Sequence, residues 1–311
     1  MKPRDRAIIA IRRSGVPDHV PHFERFELTQ ELFGRAVLTP QALNGLTAAE
    51  RERQVAENAE LFARVAERFD YAIVRIWGIE GTPEEPELIR RVCRLVGDRR
   101  LVAVSADGTF GIPSGEQMAE FCYQLADRPE EVHELYRRRQ AETAARIRRV
   151  VAAGAECIYM NSDYCFNSGP FLRPALFAEF VTPYLRQQVT VTHQEGALAI
   201  KHTDGNILPI LEELLACEVD VIQSLDPQAG IDLAEVKRLV GNRVCLAGNV
   251  NCALVQSGTP EEVTREAIAT MAKGKPGGGY IFMSSNTIFE GVPLANYLAM
   301  WEVWRHYGVY V

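Results

Sequence analysis

The order of apolar runs in this chain predicts a single α/β domain, a (β/α)8 TIM barrel spanning residues 1–311 with a helical N-terminal extension. Three observations carry that prediction. Short strand-like runs alternate with amphipathic helical stretches, and counting the weak run at 18–27 gives eight strands. No Gly-x-Gly-x-x-Gly turn follows any of them, which disfavours a doubly wound nucleotide-binding sheet. No Pro/Gly/Ser-rich linker divides the 311 residues, a length that one barrel readily fills.

Taken in order, residues 18–27 (DHVPHFERFE) alternate weakly and read as the first strand, leading to the polar tip His22, Glu24, Arg25. Thr47-Ala-Ala-Glu50 is a capping box, in which hydroxyl and carboxylate each take a free amide at a helix start, and the helix runs to Phe69. Residues 71–77 (YAIVRIW) form the second strand, and Thr82-Pro-Glu-Glu85 opens a short helix. Residues 101–105 are the third strand, ending in Asp107-Gly108, and Ser114-Gly-Glu-Gln117 reads as a capping box before a helix to about Ala126. Pro129 starts a long helix that Gly154 stops. Its arginines interleave with Glu131, Glu134 and Glu142, the pattern of a solvated face rather than a nucleic-acid patch.

Residues 156–160 are the fourth strand, with the polar cluster Asn161, Ser162, Asp163, Tyr164 after it. A helix over 175–195 is interrupted by Pro183. The fifth strand, 197–201, ends in His202-Thr203-Asp204-Gly205. Strands at 219–224, 244–247 and 280–283 then alternate with helices at 207–217, 232–240, 259–273 and 294–307. The tip Gly248-Asn249-Val250-Asn251 follows the first of the last two strands, and Gly277-Gly278-Gly279 turns into the second.

Composition narrows the function. Hydrophobic residues at 47% and charged residues at 24% are those of an ordinary globular enzyme, and a net charge of -7 argues against nucleic-acid and anionic-membrane partners. The longest nearly apolar run, 150–160, contains Glu156 and is too short to cross a bilayer. Residues 1–13 are charged throughout, so no leader is read there and a cytoplasmic location is expected. Seven cysteines form no Cys-x-x-Cys pair, so most are expected as small buried hydrophobes, with Cys165 and Cys252 set just beyond strand ends.

In a barrel, residues just past each strand converge on one mouth, where such folds keep their chemistry. Here those positions are rich in polar groups: Glu24, Arg75, Trp77, Asp107, Asn161, Asp163, Tyr164, His202, Asp204, Gln223, Asp226, Asn249 and Asn286. Side chains two apart on a strand share a face, so His202 and Asp204 lie together. They suit a metal site, an acid/base pair or a substrate clamp; the plainest alternative is an Asp that only orients a histidine. Acids, one His, one Tyr and several amides suit holding a polar organic molecule and moving a proton or an alkyl group. No Gly-x-Ser-x-Gly elbow or phosphate loop appears.

Several motifs carry a family resemblance: His202-Thr-Asp204-Gly205 leading into an apolar helix, Ile231-Asp232-Leu233 with Val236-Lys237, and Gly248-Asn249-Val250-Asn251. Gly258-Thr-Pro-Glu-Glu-Val263, Gly277-Gly-Gly-Tyr-Ile281 and Pro293-x-x-Asn296 complete the set. Over roughly residues 155–306 the chain resembles the uroporphyrinogen decarboxylase superfamily, which implies a (β/α)8 barrel. One branch of that superfamily decarboxylates a tetrapyrrole without a metal, using N-terminal arginines, an Asp, a Tyr and a late His. The other passes methyl groups to or from a corrinoid on a partner protein, using zinc held by His-x-Cys and a later Cys.

The first branch fits poorly. His22-Phe-Glu-Arg-Phe-Glu27 stands where its Arg-Gln-Ala-Gly-Arg motif belongs, and Ser284-Ser285-Asn286 stands at the late-histidine tip. The second branch fits with one departure, since Asp204 replaces the first cysteine and no cysteine occupies 284–286. The resemblance therefore implies a methyltransferase acting on a small organic methyl donor or acceptor, for example in O-demethylation, with cobalamin on a corrinoid partner protein. Zinc would be held by His202 and Asp204 with a third ligand from Glu24, Asp163 or Asn249. Asp163 and Tyr164 are further catalytic candidates, and Arg75, Trp77, Asp107, Asn161, Gln223, Asn249 and Asn286 candidate substrate contacts. The alternatives are a lyase of a smaller acid, anchored by Arg75, and a non-catalytic metabolite-binding barrel. A homodimer is compatible with either.

Overall fold

A computed structural model describes residues 1–310. Seven parallel strands form one curled sheet in the order β1-β2-β3-β6-β7-β8-β9. They are β1 (Ile73–Ile76), β2 (Leu101–Ser105), β3 (Cys157–Met160), β6 (Leu198–Thr203), β7 (Val221–Ser224), β8 (Cys245–Val250) and β9 (Tyr280–Ser284). A small antiparallel pair, β4 (Cys165–Phe166) and β5 (Gly169–Pro170), lies past the end of β3. The sheet strands are buried almost throughout, which is why each reads in sequence as a short apolar run rather than a clean alternation.

Helices cover the strand connections. Between β1 and β3 these are α4 (Glu85–Val96), α5 (Glu116–Asp127) and α6 (Pro129–Ala152). Helices α7 (Pro174–Phe180) and α8 (Thr182–Gln194) precede β6; α9 (Leu211–Ala216) and α10 (Leu233–Val240) flank β7. Helices α11 (Cys252–Ser257), α12 (Pro260–Gly274) and α13 (Leu294–Tyr307) complete the chain. At the start, α1 (Pro3–Arg12) buries Ala7, Ala10 and Ile11 against the sheet, α2 (Thr29–Phe33) is a single turn and a half, and α3 (Ala48–Arg68) precedes β1. No helix among the described residues is long and apolar enough to cross a membrane.

The expected first strand at 18–27 is corrected by the structure. His22 and Phe26 make only isolated parallel bridges, to Phe282 and Ile288. The segment still touches both edges of the sheet: the Phe282 N–H donates to Pro21 O at 2.9 Å and the Ala72 N–H to His22 O at 2.8 Å. Pro21 has no N–H to give a ladder, and residues 20–24 are all buried instead of alternating. The result is a seven-stranded sheet with an irregular segment bonded to its two edges, in place of eight regular strands.

The capping boxes at Thr47 and Thr259 form. The one expected at Ser114 does not, because Gly115, at φ 58°, takes the N-cap position of α5 without a side-chain cap. Pro183 splits the 175–195 helix at Val181 and sits in the first turn of α8, where its missing N–H costs nothing. Two strands also run further than their apolar runs suggest. β6 continues to Thr203 and β8 to Val250, so His202 and Asn249 are strand residues with fixed directions rather than loop tips.

Candidate functional site

Strand register sorts the polar residues onto two faces. His202 is paired with Gln223, and Tyr159 with both Ser105 and Ile200, two residues before His202. Alternation puts His202, Gln223 and Tyr159 on one face and Lys201 and Thr203 on the other. The second face is the helix-covered one. There Lys201 Nζ lies 4.0 Å from the centre of the Tyr164 ring, and Tyr164 packs edge-on against Phe177 of α7. The first is therefore the inner face of the curled sheet.

On the inner face a continuous polar chain runs from His202 to Arg75. Gln223 is fully buried, and its Nε2 donates to Ser285 O at 3.3 Å, which leaves Oε1 as acceptor for both His202 Nδ1 and the Tyr159 hydroxyl. Accepting from Nδ1 fixes the imidazole tautomer, so Nε2 carries either a free lone pair or a second proton. The Tyr159 ring stacks beside His202, with centroids 6.0 Å apart, and the Arg75 guanidinium sits 3.6 Å from its centre on the other side. Burial pushes the Tyr159 phenol up to about 12 despite the pull of Arg75, so it stays a donor to Gln223.

Two carboxylates face His202 Nε2: Asp163 Oδ1 at 3.6 Å and Asp204 Oδ1 at 3.8 Å. Each is held from behind. Asp204 accepts from the Ser224 hydroxyl on one oxygen and from Asn286 Nδ2 on the other, while Asp163 Oδ1 accepts the Asp204 N–H at 3.0 Å. Ser224 reaches Asp204 from an unusual backbone, with φ 92° at Ser224 and 53° at Leu225, two consecutive non-glycine residues in the left-handed region at the end of β7. Burial lowers the proton affinity of His202, against the pull of Asp204 and Asp163, and raises that of Asp204. The pair thus sits nearer to exchanging a proton than free side chains would.

This donor set fits a metal ion. One ligand atom each from Asp163, His202 and Asp204 lie within 4.8 Å of one another. Tetrahedral zinc with bonds of about 2.0–2.2 Å places its ligand atoms roughly 3.3–3.6 Å apart, and the His-to-carboxylate separations here need shift by only a few tenths of an ångström. The Nδ1–H bonded to an amide oxygen is the orienting bond that metal-bound histidines ordinarily make. Asp163 is half-exposed, which leaves a side open for a fourth ligand.

The remaining sequence candidates divide. Glu24 is outside the cluster and accepts from the Ser284 N–H and hydroxyl, while Asn249 Nδ2 donates to Leu225 O at 2.7 Å. Tyr164 and Asp107 belong to the helix-covered face. The Tyr164 hydroxyl bonds Thr109 at 2.6 Å, and Asp107 takes Lys201 Nζ at 3.0 Å, the Thr109 N–H and hydroxyl, and the Ser162 N–H. Trp77 packs against Phe62 and carries the Arg25 guanidinium at 4.7 Å. Asn161 is exposed and lines a cleft of about 380 Å³ with Arg25, Glu80, Ser105 and Asp107. Sequence reading missed Tyr159, Ser224 and Lys201. The available signal was parity: Tyr159 is a polar residue inside a buried strand, two before the tip at Asn161.

The sequence profile described as Uroporphyrinogen decarboxylase (URO-D) matches residues 110–307. Among curated relatives, the uroporphyrinogen decarboxylase of Coxiella burnetii is 24% identical over 195 residues, 60% of this chain and 50% of that protein. That of Chlorobium phaeovibrioides is 28% identical over 156 residues, 47% and 40% of the two chains. The chloroplastic enzyme of Zea mays is 29% identical over 178 residues, 56% and 42%. The matches thus span about half the length of these relatives or less. Among solved structures, a methyltransferase from Methanosarcina mazei superposes with a TM-score of 0.74 at 15% identity, covering 99% of each chain, and shares the fold.

Proposed function

The chain belongs to the uroporphyrinogen decarboxylase family, and from that premise we propose that it is a methyltransferase of a corrinoid-dependent system. It moves a methyl group between a small organic compound, an O-methyl compound in the first instance, and a cobalamin carried by a partner protein. The observation that carries this reading is the Asp163–His202–Asp204 cluster, three hard donors at metal-ligand spacing on the inner face of the sheet. A zinc ion held there would supply Lewis-acid polarisation of a bound oxygen, for which nitrogen and oxygen ligands suit better than the thiolates of thiol-activating relatives. The fold shared with the Methanosarcina mazei methyltransferase is consistent with it.

The chain's own residues do the positioning. Gln223 fixes which nitrogen of His202 faces the carboxylates, and Ser224 and Asn286 fix the Asp204 oxygens, so the cluster is pre-set before substrate arrives. Without a metal the same two residues, His202 and Asp204, are the proton-donating pair instead, serving an oxygen that leaves as its methyl group departs. The same two residues support a second reading, a lyase of a small acid in which they protonate the carbon left by carbon dioxide. The curated relatives, all named as decarboxylases, favour it.

Elemental analysis of protein purified without added metal, beside His202→Ala and Asp204→Ala, tests the cluster. Near-stoichiometric zinc lost in both variants, with methylcobalamin formed from cob(I)alamin and a methoxy compound, is the expected result. Protein that stays metal-free when zinc is offered sinks the metal centre. Carbon dioxide release without methyl transfer moves the assignment to the lyase.

A further inference from the structure

We propose that Arg75 is the receptor for an acid group on the small molecule this site takes, so that the substrate is a compact carboxylate rather than a neutral ether or alcohol. The proposal rests on the reading of the inner face as the reactive centre.

Arg75 is 7% exposed, and among the described residues its guanidinium has no carboxylate within 4.0 Å while its Nε has no hydrogen-bond partner. Its close contact is the Tyr159 ring, whose face gives the N–H donors nothing to bond. Glu80 and Glu27 act on Arg75 only from beyond ion-pair distance, and Glu24 is no counter-ion: its oxygens accept from the Ser284 N–H and hydroxyl, and burial pushes its carboxyl up to about 8. The two other buried cations each have an acid within 4.0 Å: Lys201 lies against Asp107 at 3.0 Å, and Arg100 has Asp70 at 3.6 Å although its Nε, too, lacks a hydrogen-bond partner. Burying a cation without an anion is costly, and a planar guanidinium takes a carboxylate through two parallel N–H bonds. The structure therefore keeps one fork-shaped donor in reserve.

Its place gives the size of the ligand. With Arg75 3.6 Å from the centre of the Tyr159 ring and that ring 6.0 Å from the His202 ring, the guanidinium and the imidazole are less than 10 Å apart. That is one small molecule. Ser105, the register partner of Tyr159, lines the 380 Å³ cleft, whose walls carry both signs of charge, Arg25 and Arg146 with Glu80 and Asp107.

The test compares benzoate with benzamide and acetate with acetamide, pairs of like shape that differ in charge, by calorimetric titration at fixed ionic strength. The parent is expected to bind at least one acid tenfold or more tighter than its amide, with the preference falling below threefold in Arg75→Gln. Equal binding of acid and amide in both pairs, or a preference unchanged in Arg75→Gln, overturns the proposal. A folding control runs beside it. An unpaired cation predicts that Arg75→Gln and Arg75→Met melt no lower than the parent, whereas a drop in both shows that internal bonds hold the guanidinium and also overturns it. Zinc content and methyl transfer are read separately. Acid preference without methyl transfer refutes the methyltransferase reading alone, and methyl transfer without acid preference refutes only the role of Arg75.

Discussion

Gln223 is the residue on which the candidate centre turns, and Gln223→Met tests that in two independent readouts. Methionine keeps the length of the side chain and removes every polar contact. The substitution leaves three buried groups without partners: the His202 Nδ1–H, the Tyr159 hydroxyl and the Ser285 carbonyl. At about 1–3 kcal/mol for each buried group left unsatisfied, the fold should lose at least about 3 kcal/mol, visible in urea unfolding. The second readout is zinc. Removing the bond that orients a ligating histidine ordinarily lowers metal affinity 10- to 100-fold. A 100-fold loss shrinks the stabilisation by saturating zinc by about 2.7 kcal/mol, so for 311 residues the zinc-induced rise in melting midpoint should fall by roughly 4 °C.

Gln223→Glu separates the two effects. Its carboxylate still accepts from His202 and Tyr159 but has no donor for Ser285 O, so zinc affinity should hold or rise while some stability is lost. A Gln223→Met protein that is destabilised as expected yet shows the full zinc shift would refute the claim that Gln223 orients a metal ligand.

Three further outcomes are expected. Burial pushes Glu24 up to about 8 and His22 down to about 4, and these act in opposite directions on the pH profile of stability. Between pH 4.5 and 6.5 the folded state favours the Glu24 proton and disfavours the His22 proton, so the two slopes offset; from 6.5 to 8 only Glu24 remains, and stability should fall with rising pH by up to about 1.4 kcal/mol per unit. Glu24→Gln should flatten that upper limb, measured by thermal melts across the range, and an unchanged slope would show that Glu24 is ionised when folded. Lys201→Met strands the buried Asp107 carboxylate and should cost about 3–5 kcal/mol in urea unfolding, with Lys201→Met combined with Asp107→Leu recovering part of it. Thr259→Ala breaks a formed capping box and should cost about 1 kcal/mol, while Ser114→Ala, where no box forms, should stay within about 0.5 kcal/mol.

Much of the architecture was written in local patterns. The apolar runs at 101–105 and 280–283, the Thr47 and Thr259 boxes and the 294–307 helix fall where the structure has them, the last strand running one residue further, because a buried parallel strand and a capped helix each leave a signature within a few residues. The pairing of His202 with Asp204 was legible for the same reason, since strand parity alone puts them on one side. The family motifs between 155 and 306 agree with the profile match over 110–307.

What no local pattern could settle was contact between strands. Asp163, forty-one positions from Asp204 in the chain, becomes its neighbour only because β3 and β6 are adjacent and parallel. The same adjacency sends Tyr164 and Asp107 to the helix-covered face, where Lys201 occupies them, and sets Tyr159 between Arg75 and His202. The segment at 18–27 could not be read correctly either. Its conformation is fixed by the two sheet edges it touches, at Ala72 and Phe282, and not by its own alternation. The sequence by itself determined most of the buried strands and capped helices and the polar stretches that follow them, because those are short-range choices. Which polar tips share a site, and which cation is left without an anion, was decided only when sheet register brought distant residues within bonding distance.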